Sequence, residues 1–202
     1  MKIITISREF GSGGRELGKR LAESLGFNYI DREIIAEVAK RTSLDEKFVE
    51  SNLEKGMQAY PMHFGMSFSL VPILNQSAID CFVAQNDILL ELAKKGDCVI
   101  VGRSADVILN ELNPLNLFVY ADIDSKVERC KTRQKEGENL TDKELAKKIK
   151  QIDKERAKSR KLFSDTEWGD RRNYHLMINT SNKEIKRLIP AIKQFALEYF
   201  NE

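Results

Sequence analysis

Residues 3–20 read Ile-Ile-Thr-Ile-Ser-Arg-Glu-Phe-Gly-Ser-Gly-Gly-Arg-Glu-Leu-Gly-Lys-Arg. The apolar, β-branched start predicts a buried strand, and the leucines that recur every fourth residue after the glycines predict a helix. Between them lies the turn Gly11-Ser12-Gly13-Gly14, in which successive backbone N–H groups can converge without obstruction by Cβ atoms. A helix that begins directly after such a turn points the positive end of its dipole at the same place. The stretch therefore predicts a phosphate site.

The residues after the turn differ from the common phosphate-loop pattern. A P-loop continues with Gly-Lys and then a Ser or Thr whose hydroxyl binds magnesium, whereas this chain continues with Gly14-Arg15-Glu16-Leu17. We interpret Arg15 as the cation in place of the lysine, and the magnesium-binding hydroxyl has no counterpart. The alternative is that the glycines only form a tight crossover and that Arg15 is a surface charge.

Length and composition narrow the class of protein. The chain has 202 residues, of which 42% are hydrophobic, and we expect a single domain over residues 1–202. The formal charge of +2 provides no overall field for nucleic acid or for an acidic membrane surface, so we expect neither partner. No leader pattern or membrane-spanning apolar run is recognisable, which favours a cytoplasmic location. Cys81, Cys98 and Cys130 are far apart, which predicts reduced core thiols rather than a disulfide or a zinc site.

Short β-branched runs alternate with longer helical patterns along the chain. This alternation predicts an α/β fold, with a parallel sheet covered by helices on both faces. The predicted strands are Ile3 to Ser7, Asn28 to Ile30, Cys98 to Gly102, Asn116 to Ala121 and His175 to Asn179. The first helix is expected from Arg15 to Leu25, and capping-box spacings predict further helix starts at Ser43, Ser125, Thr141 and Ser181.

Two segments depart from this alternation. Residues Met57 to Pro72, within an insertion at about 42–75, are rich in methionine and aromatic residues and show no clean period. We interpret them as an adaptable loop that packs over a substrate cleft or against a second copy of the chain in a homodimer; ordinary core packing is the alternative. Residues at about 131–172 are densely charged with one narrow apolar stripe, which predicts a solvated helix that serves as a lid.

Charged side chains follow two predicted strands at the edge where parallel sheets bind ligands. Asp31 and Arg32 come directly after the second strand; as alternatives, Asp31 is a helix N-cap and Arg32 a solvated charge. Gly102-Arg103 ends the third strand, which delivers a guanidinium fork suited to bidentate capture of a phosphate. The alternative for Arg103 is an ion pair with a neighbouring carboxylate.

The charged segment and the helix before it contain a second set of arginines. Arg129 and Arg133 lie four residues apart on one helical face, and Asp153, Arg156 and Arg160 are spaced to share another. Arginines on a lid can close over a polyphosphate and stabilise the charge of a transferring phosphoryl group. The alternative is a solvated helix face that binds no ligand.

Together these segments resemble the cytidylate kinase-like family, a branch of the P-loop nucleoside monophosphate kinases. The resemblance is carried by Ile-Ser-Arg-Glu-Phe-Gly-Ser-Gly-Gly-Arg-Glu-Leu at 6–17, Tyr-Ile-Asp-Arg-Glu-Ile-Ile at 29–35, Val-Gly-Arg-Ser-Ala-Asp at 101–106, Asp-Lys-Glu-Arg at 153–156 and Tyr-His-Leu-Met-Ile-Asn-Thr-Ser at 174–181. It implies a three-layer P-loop NTPase fold, with a five-stranded parallel sheet, helices on both faces and a helical lid.

The same resemblance implies roles for individual residues. Arg103 would bind the acceptor phosphate, and Asp153 and Arg156 would contact the sugar and phosphate of a nucleoside monophosphate. Arg129 and Arg133 match the arginines that meet the donor nucleotide, and Asp31 matches the aspartate at the end of the second strand.

We therefore expect an ATP- and Mg2+-dependent phosphotransferase that acts on CMP, dCMP or a related small acceptor. A regulatory protein that binds nucleotide or phosphate through a degenerate P-loop, and a kinase for a non-nucleotide molecule, remain as alternatives. The expected catalytic residues are Arg15, Arg103, Arg156 and Arg160. The expected phosphate and ATP site comprises Gly11, Ser12, Gly13, Gly14, Arg15, Glu16, Leu17, Arg129 and Arg133, with Glu16 as a metal ligand. The expected acceptor site comprises Asp31, Arg32, Arg103, Ser104, Asp106, Asp153 and Arg156.

Overall fold

The computed structural model describes residues 1–55, 76–134 and 140–201. Within these ranges the strands are β1 (Ile3–Arg8), β2 (Asn28–Ile30), β3 (Cys98–Val101), β4 (Leu115–Tyr120) and β5 (Leu176–Asn179). The α-helices are α1 (Gly14–Leu25), α2 (Glu33–Thr42), α3 (Glu46–Lys55), α4 (Gln76–Lys94), α5 (Ala105–Ile108), α6 (Ile123–Lys131), α7 (Asp142–Arg160) and α8 (Ile185–Phe200). Short 3-10 turns occupy Asn110–Leu112 and Arg171–Asn173.

The five strands form one parallel sheet in the order β2-β3-β1-β4-β5. β1 lies at the centre, with Ile4 opposite Val99 of β3 and Leu115 of β4. The strand order changes direction at β1, so the carboxyl ends of β1 and β3 open a crevice of the kind in which open α/β sheets bind ligands. All five predicted strands are confirmed, with ends that differ by at most one residue.

Alternate strand residues enter two separate apolar clusters, as expected for a sheet buried on both faces. On one face Ile3 and Ile100 pack with helices α2, α3 and α4. On the other face Ile4 and Val99 pack with α1 and α8. The prediction of a parallel sheet covered by helices on both faces is confirmed.

The predicted helix starts are only partly correct. The capping box of Thr141 and Glu144 is present at α7. The box at Ser125 is wrong because α6 begins two residues earlier, where the Asp122 side chain accepts from the Ser125 N–H at 2.7 Å. The box at Ser43 is wrong for a similar reason, since the side chain of Asp45 accepts from the first turn of α3. At α3 the aspartate lies closer to the helix than the predicted serine, whereas at α6 the predicted serine lies inside the first turn and its own N–H is the group that is capped.

The predicted starts of the first and last helices have different outcomes. Helix α1 begins at Gly14, one residue before the predicted start, and α8 begins at Ile185 without a side-chain cap, so the box at Ser181 is also wrong. Ser181 instead accepts a hydrogen bond from the Asp122 N–H at 2.8 Å.

Helix α7 forms the central part of the predicted lid and is not a freely solvated helix. Its buried residues Leu145 and Ile149 pack against Val127 of α6 in a small third cluster, and α7 also contacts α3. The charged face of α7 borders the crevice at the sheet edge. Residues Met57 to Pro72, with the predicted dimer contact, lie outside the described residues.

The described cysteines agree with the expectation of free thiols. Cys81 and Cys98 are buried in the core, and burial raises the pKa of Cys98 to about 11. Cys130 is partly exposed on α6. In the described parts of the chain, no helix combines the length and apolar character needed to cross a membrane.

Candidate functional site

A cleft of about 400 Å³ lies at the carboxyl edge of the sheet, between the glycine turn, the ends of β1 and β3, and α7. Its walls are strongly basic, although the chain as a whole carries a formal charge of only +2. The arginines that line it are Arg8, Arg15, Arg32, Arg103, Arg133, Arg156 and Arg160. Among the described residues the acidic side chains in the same lining are Glu9, Asp106 and Glu155. The positive charge is therefore concentrated where a ligand would bind.

The glycine turn has the backbone geometry that an anion site requires. Gly11 and Gly13 have positive φ angles of 78° and 85°, and α1 begins directly afterwards at Gly14. In this conformation the first N–H groups of α1 have no partners within the helix and are directed out of its end. Phosphate binding by Gly11, Ser12, Gly13 and Gly14 stays a prediction, and the local geometry supports it.

The turn is held from behind by the segment that follows β5. The Thr180 hydroxyl donates to the carbonyl of the buried Ser12 at 2.7 Å, and a Cβ atom at Gly13 would lie 2.7 Å from Ile185 Cδ1. Arg129 also belongs to this support, because its guanidinium donates to the carbonyls of Thr180 and Lys183. Burial and repulsion from Arg133 lower the pKa of Arg129. The structure thus places Arg129, predicted to bind ATP, behind the turn rather than in the cleft lining.

Arg15 is directed away from the turn and toward the end of β2. Its Nε lies 2.6 Å from Oδ2 of the buried Asp31, and Tyr29 donates to the same carboxylate oxygen at 3.2 Å. Burial and the neighbouring Asp31 charge raise the pKa of Tyr29. Asp31 is not the N-cap of α2, a place taken by Arg32 without a side-chain cap. Arg32 lines the cleft and lies 3.6 Å from Glu50.

Arg103 is presented by an unusual backbone. Gly102, Arg103 and Ser104 have successive positive φ angles of 81°, 61° and 51°. Two non-glycine residues in the left-handed region cost conformational energy, and such strain is concentrated at functional sites. The bend brings all three residues into the cleft lining, which is where the strand-end argument predicted Arg103.

Arg156 enters the cleft from α7 and is connected to the end of β1. It donates to the Arg8 carbonyl at 2.9 Å and lies over the Phe10 ring at 5.7 Å. Asp153 accepts from the Phe10 N–H at 2.6 Å, and burial raises the pKa of Asp153. These contacts join α7 to the turn. They place Arg156 in the lining, whereas Asp153 is not part of it.

Arg160 and Asp106 form a buried ion pair, with both side chains less than 5% exposed. Arg160 also donates to the Thr166 hydroxyl at 2.9 Å and lies over the Tyr174 ring. The second oxygen of Asp106, Oδ1, is buried and has no hydrogen-bond partner among the described residues. We expected a catalytic role for Arg160 and an acceptor-binding role for Asp106. Because each is the main partner of the other, an alternative is that the pair stabilises the wall of the cleft.

Glu16 lies on the more exposed side of α1. It binds Arg20 at 2.9 Å and Arg133 at 3.3 Å, and it does not belong to the cleft lining. Leu17, also predicted in the phosphate site, is fully buried in the core. Its backbone N–H is already bound to the Gly13 carbonyl at 2.9 Å, so Leu17 supports the turn through packing.

The described residues do not fit a magnesium site built from protein ligands. Mg2+ prefers oxygen ligands in octahedral geometry. The Glu9 carboxylate is occupied by Lys126 at 2.9 Å and by the Ala121 N–H at 3.2 Å, and the Ser12 hydroxyl donates to the Glu9 carbonyl. No group of three His, Cys, Asp or Glu side chains in the described ranges could hold a metal ion. The metal prediction for Glu16 is thus without structural support, since arginines surround its carboxylate.

Sequence reasoning missed Arg8, the last residue of β1. The predicted strand ends at Ser7, and Arg8 has no role in the prediction because it only precedes the glycines. The structure places its side chain in the cleft, where it lies against Gly14 and over Gly102. Burial, followed by repulsion from Arg156 and Arg103, lowers the pKa of Arg8 well below its usual value. The available signal was its position five residues before Gly13, which is where the P-loop pattern places its first glycine.

Comparison with known proteins agrees with this geometry. Residues 3–182 match the profile of the Cytidylate kinase-like family. The comparison with curated proteins gives no significant match. Among solved structures, an uncharacterised protein from Eubacterium ventriosum is 26% identical, with a TM-score of 0.71 over 97% of this chain and 98% of that one.

Two shikimate kinases share the fold at lower identity. The enzyme from Bacteroides thetaiotaomicron is 16% identical, with a TM-score of 0.55 over 96% of this chain and 97% of that one. The enzyme from Acinetobacter baumannii, solved with shikimate, is 14% identical, with a TM-score of 0.56 over 98% and 94%. The predicted P-loop NTPase fold is confirmed by these similarities.

Proposed function

The chain belongs to the cytidylate kinase-like family, and from this membership and its arginine-lined cleft we propose that it is an ATP-dependent phosphotransferase for a small acceptor. The observation that carries the proposal is the convergence of two features at one sheet edge. One is the open N-terminal end of α1 behind the glycine turn, and the other is the set of guanidinium groups opposite it. Each alone is common, but together they suit a polyphosphate.

The two sides of the cleft suggest a division of labour. The triphosphate of ATP would lie on the turn at Gly11–Gly14, near Arg133 and Arg156. The acceptor would lie toward the ends of β2 and β3, near Arg32, Arg103 and Ser104. Asp31 would act indirectly, since it holds Arg15 at the cleft wall through their ion pair.

The chemistry needs no covalent intermediate. An oxygen of the acceptor forms a bond to the γ-phosphorus while the bond from that phosphorus to the β–γ bridging oxygen breaks. The electron pair of the broken bond stays on the bridging oxygen, ADP leaves, and a hydroxyl acceptor gives its proton to solvent. The protein's part is to position the two substrates and to stabilise charge on the transferring oxygens with preorganised guanidinium groups.

Magnesium would enter with ATP as a counterion of its phosphates. No step of this proposal depends on a protein-bound metal, because no cluster of three acidic, His or Cys side chains among the described residues could hold one. We assign the neutralisation of the negative charge on the phosphates to the arginines of the cleft instead. We also infer a cytoplasmic site of action, where ATP is available, and we retain the Met57 to Pro72 segment as the proposed homodimer contact.

CMP and dCMP are the first acceptors to test, because of the family resemblance. A non-nucleotide acceptor is the second candidate, for two reasons. The shikimate kinases share the fold, and this chain has no arginine between Arg41 and Arg103 to read a base. A regulatory protein that binds nucleotide without turnover is the third candidate, favoured by the atypical residues Gly14 and Arg15.

A coupled assay of ADP release distinguishes these candidates. The purified chain is incubated with ATP, Mg2+ and, in turn, each nucleoside monophosphate and a panel of hydroxy acids that includes shikimate. We expect acceptor-dependent ADP release, and loss of the bidentate contact in Arg103→Ala should lower kcat/KM by a factor that corresponds to about 2 kcal/mol or more. Arg41→Ala is the matched control, because Arg41 pairs with Glu91 on the surface.

Two results would count against the proposal. If calorimetry detects ATP binding but no acceptor causes ADP to be released, the regulatory alternative is favoured. Full activity of Arg103→Ala would remove that side chain from the acceptor site.

A further inference from the structure

We propose that Arg8 is the cation that binds the phosphates at the point where donor and acceptor meet, in place of the lysine of the usual P-loop. This inference rests on the proposed function and assigns a residue that neither the motif nor the family resemblance singled out. The inference follows from the two glycines that Arg8 contacts, Gly14 and Gly102, and from the charges around its guanidinium group.

The first observation is an exchange of residues within the loop. In the pattern Gly-x-x-x-x-Gly-Lys, the lysine follows the last loop glycine directly. Here the last glycine of the turn with a positive φ is Gly13, so the lysine position falls on Gly14 rather than on Arg15, as the sequence alone suggested. The first glycine position then falls on Arg8. A Cβ atom at Gly14 would lie 2.6 Å from the Arg8 Cβ atom. A side chain at position 14 and the present Arg8 side chain therefore exclude each other.

The second observation is the contact of the guanidinium with Gly102. A Cβ atom added to Gly102 would overlap the Arg8 Nη1 atom. The Arg8 side chain thus runs from the first residue of α1 to the end of β3, next to Arg103. This path crosses the cleft from the proposed donor side to the proposed acceptor side. A transferring phosphoryl group has to pass between these two sides.

The third observation is the unbalanced charge. Arg15, Arg103 and Arg156 all repel Arg8, and among the described residues Asp31 is the carboxylate that acts on it favourably. Asp31 is already paired with Arg15, and no described carboxylate forms an ion pair with the Arg8 guanidinium. Like charges held together in a partly buried site raise the free energy of the empty protein. A bound polyphosphate would relieve that repulsion.

This arrangement predicts opposite effects of Arg8 on stability and on binding. Arg8→Met keeps the length of the side chain and its packing against Gly14 but removes the charge. The variant without ligand should unfold at the same temperature as the wild type or at a higher one. Its affinity for phosphates should nevertheless fall, because the charge-assisted hydrogen bonds are lost.

The test measures thermal unfolding and calorimetric binding of inorganic tripolyphosphate at constant ionic strength. Arg8→Met should bind about 10- to 100-fold more weakly than the wild type, as expected for loss of a charge-assisted contact. Arg8→Lys, which keeps the charge without the fork, should lie between them. Arg41→Met is the control for a change of one charge outside the cleft and should bind as the wild type does.

The inference would be overturned if Arg8→Met bound tripolyphosphate as tightly as the wild type does. It would also be overturned if the variant bound tripolyphosphate more weakly and unfolded at a lower temperature, because that pair of results indicates a structural role. The proposed function can fail separately. If the wild type binds tripolyphosphate and ATP but phosphorylates no acceptor, the function is wrong while Arg8 remains a phosphate ligand. A wild type that does not bind tripolyphosphate overturns both.

Discussion

The buried pair of Arg160 and Asp106 gives the sharpest test of how the cleft is built. Arg160→Ala would leave the Asp106 carboxylate buried without its cation, and its Oδ1 atom already lacks a partner among the described residues. Removal of one partner from a buried ion pair typically costs about 3 to 5 kcal/mol. For a domain of this size, each kcal/mol lowers Tm by about 2 to 4 °C, so a fall of roughly 6 to 20 °C is expected.

Thermal unfolding followed by circular dichroism measures this change. The matched control is Arg172→Ala, since Arg172 is 83% exposed in its pair with Asp170. Water and salt screen an exposed ion pair, so this variant should unfold within a few degrees of the wild type.

A double variant then distinguishes structure from catalysis. Arg160→Met with Asp106→Leu replaces both charges by apolar groups, which often restores most of the stability lost in the single variant. If Arg160 supports the wall of the cleft, the double variant recovers both stability and phosphotransfer. If it recovers stability but stays inactive, at least one of the two side chains acts on substrate, as the sequence predicted for both. A loss below about 1 kcal/mol in Arg160→Ala would refute the reasoning, because it would mean that the pair is not desolvated.

Three further outcomes follow from the structure. Gly102→Ala should weaken tripolyphosphate binding, because a Cβ atom there displaces Arg8, and should lower Tm, because the φ angle of 81° is strained for alanine. Calorimetry measures the first effect and thermal unfolding the second. Unchanged binding would contradict the contact between Arg8 and Gly102. Thr141→Ala should cost about 1 kcal/mol of stability in urea unfolding through loss of the α7 cap, whereas a neutral result would mean that this end of α7 is frayed. Cys98 should resist iodoacetamide at pH 8 in the folded protein, because a pKa of about 11 leaves far less thiolate than an unperturbed cysteine has. Mass spectrometry should show labelling only after unfolding.

The sheet could be predicted because its signals are local. Runs such as Cys98–Val101 are apolar on both strand faces, which is the pattern of a central parallel strand. The glycine turn was equally clear, since Gly11 and Gly13 adopt the positive φ angles that only glycine adopts readily. Arg103 was found because a buried strand fixes where the next residue lies.

The contacts of the charged residues could not be predicted from the sequence. Arg160 belongs to a helix whose sequence is dense in charge, and nothing local indicates that it alone is buried against Asp106. Arg15 was taken as a phosphate ligand, but Asp31, 16 residues away, holds its guanidinium. Arg8 was missed because its role depends on the missing side chains at Gly14 and Gly102, one of them distant in sequence. Such partners are set by the tertiary fold, which a local pattern does not encode.

The hydrogen bond from Thr180 to the carbonyl of Ser12 joins the segment after the last strand to the glycine turn after the first strand. These two residues are separated by 168 positions, so at least 168 residues must be synthesised after Ser12 before they can meet. A nascent chain of which only β1 to β4 have left the ribosome lacks this hydrogen bond and the contact of Ile185 with Gly13. The proposed phosphate site should therefore gain its full support only after β5 and the start of α8 have been synthesised.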